Sequence, residues 1–298
     1  MSGGPARPAG EAQPLPRGTR AWLRAAGIRP RRAWGQNFLV NARVAERIID
    51  GWEIAPGTEV VEIGAGAGSL TLPLLARGLP VVAVERDPAL CDLLRARATV
   101  ECPGATLELR EADILALDPA SLGGGAARGA RVLVGNLPYA LTTAILLWAG
   151  RHREAFLWSA FMVQREYGER LLAEPGGAAY GSLSVWARIR YALNREILVR
   201  PASFWPIPKV DSLVVRLTPL PAPPVEVPTL ELLERVVRAA FSERRKMLAQ
   251  PLARALSLPR ERVERALRIS GVDPRKRAEA CGLEDFAALT RALADDLG

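Results

Sequence analysis

The tetrapeptide Asn136-Leu137-Pro138-Tyr139 follows a short apolar run, residues 132–135, and combines three groups that suit a planar amine. A side-chain amide oxygen and a backbone carbonyl before a proline can accept the two N–H groups of such an amine. An aromatic ring can stack on the base that carries it, which is worth roughly 1–3 kcal/mol per base. Because the nitrogen lone pair then stays free to attack an electrophile, the motif predicts group transfer to the amine of a nucleobase.

A glycine-rich turn about 70 residues upstream is the candidate site for the carrier of that electrophile. The strand-like residues 59–63 run into Gly64, Gly66 and Gly68, which open a helical segment. Glycines at such a turn let a ligand approach the backbone, where the helix N–H groups face it. The turn alone predicts only a weak nucleotide site.

Glu85 strengthens that prediction, because it lies 21 residues after Gly64 at the end of the next predicted strand. A carboxylate there can accept both ribose hydroxyls of an adenosine-containing cofactor. The dinucleotide fingerprint places a third glycine at position 69, where this chain has Ser69. The pattern therefore disfavours NAD and favours S-adenosylmethionine, which has no pyrophosphate to hold.

Two further segments have both a functional and a plain structural interpretation. Asp113 follows the third predicted strand, where its carboxylate could accept the adenine amine of the cofactor or serve as a turn or N-cap residue. Residues 35–39, with the sequence Gly-Gln-Asn-Phe-Leu, precede the first helix of the core and by themselves predict a loop with a hydrophobic staple.

Short β-rich runs alternate with helical stretches between residues 20 and 217, which predicts βαβ units and a mostly parallel sheet. The predicted strands are residues 59–63, 81–85, 106–109, 131–135, 155–163 and 213–217, with helices at 70–77 and 88–98 and a glycine loop at 123–125.

The chain divides into four predicted parts by composition. Residues 1–19 are rich in Gly, Pro and Ala and predict a disordered tail, and residues 20–218 carry the alternating pattern. Residues 219–228 predict a proline-rich linker. Residues 229–298 have helical periodicity throughout and predict a small all-helical domain.

Composition limits the class of protein and its partners. A formal charge of +8 and a pI near 10.1 favour a polyanionic partner, nucleic acid first. Cys91, Cys102 and Cys281 lack CxxC spacing, so they predict a reducing compartment with neither disulfides nor a zinc site. His152 is the single histidine, which disfavours a catalytic triad and a histidine-ligated metal. The sequence offers no membrane span and no secretory signal, and we expect a cytoplasmic protein.

Four motifs occur in the order and spacing of one known family, and a fifth segment extends the match into the helical region. They are residues 35–39, 62–66, 135–139, 204–212 and 240–246. By these motifs the chain resembles the ribosomal RNA adenine dimethyltransferases. Within that family it is most similar to the small-subunit enzymes whose loss gives kasugamycin resistance. The resemblance covers about residues 30–255.

The resemblance implies an α/β fold, namely a Rossmann-like, S-adenosylmethionine-dependent methyltransferase sheet with one antiparallel strand and a C-terminal helical domain that orients RNA. It also implies dimethylation of two adjacent adenines near the 3′ end of small-subunit ribosomal RNA, with the immature small subunit as partner and the enzyme as a monomer. The residues implied to contact S-adenosylmethionine are Asn37, Leu39, Gly64, Glu85, Asp113 and Asn136; those implied to hold the flipped adenine are Asn136, Leu137, Tyr139 and Phe204.

Two positions depart from the family pattern. Trp34 precedes Gly35 where the family usually has leucine, and Arg86 follows Glu85 where the family commonly has an aliphatic residue. Neither residue takes part in the predicted chemistry, so the departures bear only on how the cofactor loops pack.

Three other functions remain open at this point. A resistance-type enzyme that modifies adenine in large-subunit RNA shares the fold and the pocket motif. A non-catalytic RNA-binding assembly factor could keep the fold without turnover, and a nicotinamide dehydrogenase is a more distant alternative. Arg165, Arg170 and residues 244–246 are equally open between solvated helix faces and contacts with RNA phosphates.

Overall fold

The structure is a computed structural model that describes residues 16–31, 34–122 and 130–297. Most of the predicted tail, and the predicted glycine loop at 123–125, lie outside the described residues. Thr19, the last residue of the predicted tail, begins the first helix and is buried. Among the described residues, no helix is long and apolar enough to cross a membrane.

Within the described residues, nine strands form one large and one small sheet. They are β1 (Phe38–Leu39), β2 (Glu59–Ile63), β3 (Val81–Glu85), β4 (Leu107–Glu111), β5 (Arg131–Asn136), β6 (Trp158–Gln164), β7 (Tyr191–Val199), β8 (Phe204–Trp205) and β9 (Ser212–Pro219). The large sheet has the order β4-β3-β2-β5-β6-β9-β7, and the first five of these strands run parallel. β9 runs antiparallel to both of its neighbours, so it is the single reversed strand of this sheet. The predicted α/β class and its reversed strand are confirmed.

In the part of the chain that the structure describes, twelve α-helices accompany the strands. They are α1 (Thr19–Ala25), α2 (Ala42–Trp52), α3 (Thr71–Ala76), α4 (Pro88–Glu101), α5 (Thr142–Arg151), α6 (Arg165–Leu172), α7 (Ser182–Arg188), α8 (Leu230–Ala240), α9 (Ala249–Leu256), α10 (Arg260–Ile269), α11 (Leu283–Ala292) and α12 (Ala294–Leu297).

The central strands are near-continuous apolar runs because helices cover both faces of the sheet. Successive residues alternate between two cores: Val60 packs with helices α2 and α3, whereas Val61 packs with α5 and α7. Burial on both faces holds the strand ends in fixed register. Ile63 of β2 lies opposite Val84 of β3 on one side and Gly135 of β5 on the other.

The strand order reverses between β2 and β5, and this point positions the site. In an open parallel sheet, ligands bind outside the carboxyl ends of the strands where the order reverses. The carboxyl ends of β2, β3 and β5 carry Gly64, Glu85 and Asn136. Three predicted site residues from distant parts of the chain therefore meet at one edge.

The sequence did not predict two parts of the sheet arrangement. The edge strand β7 has Arg195 and Glu196 at its centre, a polar pattern that hides its strand character. β1 and β8 have two residues each and pair antiparallel, with Leu39 opposite Phe204. This small sheet brings residues 38–39 against a segment about 165 positions away in the chain.

The C-terminal helices form their own buried cluster, as the helical periodicity predicts. Val225 of the proline-rich segment belongs to this cluster, together with Tyr180, Val185 and Ile189 from the region of α7. The helical core therefore extends beyond the predicted boundary at residue 229. The four-part division of the chain stays a prediction.

Candidate functional site

A cavity opens at the carboxyl ends of β2, β3 and β5. Its lining combines the segment before β1, the glycine turn, the end of β3 and the turn after β5. The lining residues are Trp34, Gly35, Gln36, Asn37, Phe38, Ile63, Gly64, Gly66, Val84, Glu85, Arg86, Leu90, Ala112, Asp113, Ile114, Asn136, Leu137, Pro138, Tyr139, Leu141 and Ile145. All of the predicted site residues except Leu39 and Phe204 are among these lining residues.

The glycines at this edge are required by close backbone approach. Gly66 has φ 55°, and a Cβ there would lie 3.4 Å from the Phe38 ring. At Gly135, a Cβ would lie 2.7 Å from the carbonyl oxygen of Ile63, so no side chain fits just before the Asn136 motif. Gly66 therefore leaves backbone, and not a side chain, at the cavity, whereas Gly135 allows close packing of β5 on β2.

The Glu85 carboxylate is held by backbone donors. Its Oε2 accepts the N–H of Gly66 at 2.9 Å, and its Oε1 accepts the N–H groups of Arg86 and Asp87, each at 2.9 Å. Burial raises the pKa of Glu85, and the backbone hydrogen bonds oppose this rise. A carboxylate has about four acceptor positions, so Glu85 keeps capacity for a further donor from the cavity.

The Asn136 amide is oriented by the segment before β1. Its Nδ2 donates to the backbone carbonyl oxygen of Asn37 at 2.9 Å. Within the described part of the chain, no hydrogen bond uses the Asn136 Oδ1, which is left as an acceptor at the cavity. The Leu137 N–H donates to the Met162 carbonyl at 3.0 Å, which fixes the turn that presents the Leu137 carbonyl.

Tyr139 lines the cavity and is anchored at its far end. Its hydroxyl shares a hydrogen bond of 3.0 Å with the Ser212 Oγ, and Ser212 is fully buried at the start of β9. Burial raises the pKa of Tyr139, while the bond to Ser212 lowers it. The anchored hydroxyl restricts the orientation of the ring.

Asp113 fits both of its sequence interpretations. Its Oδ1 accepts the Leu115 N–H at 3.0 Å, so the residue caps the short turn that follows β4. Asp113 also lines the cavity and is exposed. Its second carboxylate oxygen is free of hydrogen bonds from the described residues, so the structural role leaves an acceptor for a ligand.

The structure does not bring Leu39 and Phe204 to the lining of this cavity, although Leu39 lines a small neighbouring pocket with Gly64 and Asn136. Each is 2% exposed, and the two lie opposite each other in the β1–β8 pair. Both side chains pack in the core beneath α2. The predicted second aromatic face at Phe204 therefore has no geometric support in this structure, because the ring is covered by the core.

Sequence reasoning missed three residues of the site. Ser212 ended a quoted motif, but its contact with Tyr139 joins segments 73 positions apart. Trp34 was noted only as a departure from a pattern, although it lines the cavity.

Glu62 is the third missed residue, and its signal was an acidic residue inside an apolar strand. It is 2% exposed and accepts a 2.6 Å hydrogen bond from the Thr71 hydroxyl. Burial raises the pKa of Glu62 to about 8. It lies directly before the glycine turn, in a strand whose neighbour ends at Glu85.

Some of the basic residues form hydrogen bonds or ion pairs within the protein, and others are exposed without such a contact among the described residues. The Arg244 guanidinium donates to the carbonyls of Ala178 and Tyr180 at 3.1 and 2.8 Å, so it ties the segment after α8 to the loop before α7. Arg165 pairs with Glu169 at 2.8 Å. Arg245 and Lys246 are exposed.

Comparison with known proteins places this geometry in a family. The model of the family described as "Ribosomal RNA adenine dimethylase" matches residues 27–295. The "Ribosomal RNA small subunit methyltransferase A" of Geobacter metallireducens is 40% identical over 272 residues, covering 91% of this chain and 98% of the relative. The protein of the same name from Moorella thermoacetica is 40% identical over 281 residues, covering 92% and 96%.

Solved structures agree on the fold. A dimethyladenosine transferase from Plasmodium falciparum has a TM-score of 0.68 at 24% identity and covers 84% of this chain and 94% of its own. The 23S rRNA methyltransferase ErmE has a TM-score of 0.63 at 27% identity and covers 86% and 99%. From the extent of these matches, the chain belongs to the ribosomal RNA adenine dimethylase family.

Proposed function

We propose that this chain uses S-adenosylmethionine to dimethylate the exocyclic amines of two adjacent adenines near the 3′ end of small-subunit ribosomal RNA, during maturation of that subunit. The relatives at 40% identity are named as small-subunit ribosomal RNA methyltransferases, and the family is named for adenine dimethylation. The observation that carries the proposal is the Asn136 amide, which lines the cavity, donates through its nitrogen to the Asn37 carbonyl and leaves its oxygen without a hydrogen bond from the described residues.

The residues of the cavity fit an adenosyl cofactor. Gly64 and Gly66 leave room at the backbone, Glu85 keeps acceptor capacity for ribose hydroxyls, and Asp113 offers a free carboxylate oxygen. Asn37 also lines the cavity, and its backbone carbonyl accepts the Asn136 amide. When bound, S-adenosylmethionine supplies an electrophilic methyl group on its sulfonium.

At the other end of the cavity, the turn after β5 would act on the adenine amine. This amine is a weak nucleophile because its lone pair is delocalised into the ring. Hydrogen bonds from its N–H groups to the Asn136 Oδ1 and the Leu137 carbonyl favour a pyramidal nitrogen with an available lone pair. Stacking on Tyr139 keeps the amine in line for attack, and such positioning supplies several kcal/mol in well-oriented reactions, on the order of 7 or more.

The reaction balances without a protein base. The amine nitrogen would take up the methyl group that the bound cofactor supplies, the thioether product would leave, and the nitrogen would release a proton to water. The described residues of the cavity lining include no histidine. Two such cycles on one nitrogen give the dimethylated base.

The target base must leave its stack before it can reach this turn, which costs a few kcal/mol and favours single-stranded loops. In this proposal Phe204 supplies a second aromatic face to the extruded base. Because the ring is 2% exposed here, that role requires the β1–β8 pair to open when RNA binds.

The RNA is held by the basic surface of the chain. The formal charge of +8 favours phosphate contact, and the exposed Arg245 and Lys246 lie beside the Arg244 anchor. We assign orientation of the substrate to the helical region, 229–298, acting as part of a cytoplasmic monomer.

A methylation assay with matched RNA substrates tests the proposal. The purified protein is incubated with methyl-labelled S-adenosylmethionine and either unmethylated small subunits or large-subunit RNA, and the nucleosides are then separated. We expect dimethyladenosine from the small subunit alone. Label in large-subunit RNA would support the resistance-type function suggested by the likeness to ErmE, at 27% identity. Cofactor binding without label would support a non-catalytic assembly factor.

A further inference from the structure

The two residues that depart from the family pattern contact each other at the cavity. The Arg86 guanidinium carbon lies 4.2 Å from the centroid of the Trp34 ring, and that of Arg31 lies 4.4 Å from the same ring. Trp34 and Arg86 both line the cavity. Trp34, in the loop before β1, and Arg86, after β3, therefore belong to one structural feature. We call it the Trp34 cluster, and it consists of Arg31, Trp34 and Arg86.

Each contact in the cluster is of a stabilising kind. A guanidinium over an indole face is favourable by about 0.5–1 kcal/mol at an exposed site and about 2 kcal/mol when desolvated. Arg31 also lies 3.7 Å from the carboxylate of Asp87, which is 4% exposed in its side chain. Asp87 caps α4 through the Ala89 N–H, so it offers a fixed point. The cluster thus fastens the loop to the end of β3.

The same loop is fastened at the other end of the cavity. The Arg31 N–H donates to the Gln36 Oε1 at 2.8 Å, and the Asn37 carbonyl accepts the Asn136 amide at 2.9 Å. At Gly35, a Cβ would lie 3.4 Å from the Tyr139 nitrogen, which shows how closely the loop packs on the catalytic turn. Residues 34–37 therefore bridge the cavity from the Glu85 side to the Asn136 side.

The charge of the cluster indicates which part of the cofactor it faces. Two guanidinium groups disfavour a cationic sulfonium beside them and accept a flat, neutral ring, because guanidinium and indole surfaces both stack well. Arg86 directly follows Glu85, the proposed ribose ligand. The adenine ring belongs next to the cluster, and the sulfonium belongs near Asn136.

We propose that the Trp34 cluster is a clasp that closes the loop over the adenosyl end of the cavity and slows departure of the cofactor. The inference rests on the proposed use of S-adenosylmethionine. Trp34 and Arg86 act in it as positioning residues, because they hold the loop and the adenine without contact with the reacting atoms.

The test is the dissociation rate of labelled S-adenosylhomocysteine and S-adenosylmethionine from the full chain, chased with unlabelled compound. Trp34→Leu removes the aromatic face and keeps bulk, Trp34→Phe keeps a smaller face, and Arg86→Met keeps length without charge. Arg95→Met is the matched control, since Arg95 pairs with Asp92 on the surface of α4 and does not line the cavity.

We expect Trp34→Leu to raise the dissociation rate and Kd of both compounds about tenfold, as loss of two cation–π contacts predicts. Arg86→Met should raise them about threefold, and Trp34→Phe should recover most of the loss. In the double variant Trp34→Leu/Arg86→Met, the effects should not add, because both changes remove the same contact. The KM for RNA should stay unchanged.

Two results would overturn the clasp. One is a folded Trp34→Leu protein, checked by its thermal melt, whose dissociation rate stays within about twofold of the parent, less than even one exposed cation–π contact predicts. The other is an increase in the KM for RNA with no change in cofactor affinity or dissociation rate. That result would show that the cluster contacts RNA. If the proposed function itself is wrong, the result is different from these two: the parent protein would bind the cofactor but would not methylate RNA.

Discussion

The two ends of the cavity treat their hydrogen-bonding groups in opposite ways. At the glycine turn, the Glu85 carboxylate already accepts three backbone N–H groups. At the turn after β5, the Asn136 oxygen and the Leu137 carbonyl accept no hydrogen bond from the described residues. The first end is made rigid by its own hydrogen bonds, whereas the acceptors of the second end stay unoccupied. This difference is our reason for proposing that the cofactor binds at the first end and that the chemistry takes place at the second.

The largest effect is expected from Asn136→Ala, which removes an open acceptor. We expect the methyl-transfer rate to fall by about 100-fold or more, the range for loss of a preorganised partner in a transition state. Single-turnover rates and RNA affinity are the measurements, and RNA affinity should change little. Asn194→Ala, at a position of β7 that does not line the cavity, is the matched control. A transfer rate like that of the parent would contradict the assignment of chemistry to this end.

Two substitutions of Tyr139, at the same end, distinguish the effect of base stacking from the effect of the hydrogen bond to Ser212. We expect Tyr139→Ala to lower the transfer rate roughly 10- to 100-fold, since base stacking is worth about 1–3 kcal/mol, with a smaller effect on cofactor Kd. Tyr139→Phe keeps the ring and loses the bond to Ser212, so its transfer rate should fall only a few-fold. Equal losses of transfer and cofactor affinity in Tyr139→Ala would argue against stacking on the substrate base.

Glu85→Gln tests the binding end. The amide has one oxygen where the carboxylate has two, so it cannot serve both the backbone donors and a ribose hydroxyl. We expect the cofactor Kd to rise about tenfold, in keeping with hydrogen bonds to a charged group, while the KM for RNA is unchanged. Glu111→Gln is the control, because Glu111 lies opposite Glu85 in the β3–β4 register and does not line the cavity. A loss confined to RNA affinity would reverse the roles of the two ends.

Glu62 is expected to influence the stability of the fold and not the kinetics at either end of the cavity. Burial raises the pKa of Glu62 from 4.5 to about 8, so the folded protein holds this proton where the unfolded chain has released it. The stabilisation is complete below pH 4.5 and is lost as the pH rises towards 8, at up to about 1.4 kcal/mol per pH unit.

The substitution Glu62→Gln removes that dependence. The pH dependence is measured by urea unfolding at about pH 5.5 and about pH 8. Both values fall within the window set by the two pKa values. We expect the free energy of unfolding to decline less with pH in the variant than in the parent. The introduced amide oxygen can still accept the hydrogen bond from the Thr71 hydroxyl, so the variant keeps the local packing. Identical declines in the two proteins would show that Glu62 is ionised in the folded state.

The sequence predicted those parts of the site that depend on local pattern. β2 and β3 have the predicted bounds, and β5 ends within one residue of its prediction. Because consecutive parallel strands place their carboxyl ends at one edge, Gly64, Glu85 and Asn136 were predicted to act together, and they line one cavity. Their roles in binding and catalysis stay predictions.

The remaining features depend on contacts between distant segments, which local pattern does not encode. Phe204 and Leu39 are buried because two strands of two residues pair across the chain. Tyr139 meets Ser212, and Trp34 meets Arg86, through packing that only the assembled sheet defines. Strand β7 was missed because its central charges pair with a neighbouring strand, with Glu196 bound to Arg216 at 2.6 Å.

The shared helical core has a consequence for the construction of chimeras. Tyr180, Val185 and Ile189 pack against α8 to α11, and Arg244 clamps the carbonyl of Tyr180. A C-terminal region grafted from a relative at the proline-rich segment would meet a foreign partner surface and leave apolar side chains mismatched. An exchange that starts before residue 174 carries both halves of this core but also replaces β9, which pairs with β6 of the large sheet. Such a chimera should fold only if the new β9 matches β6, whereas chimeras joined at residue 219 should aggregate.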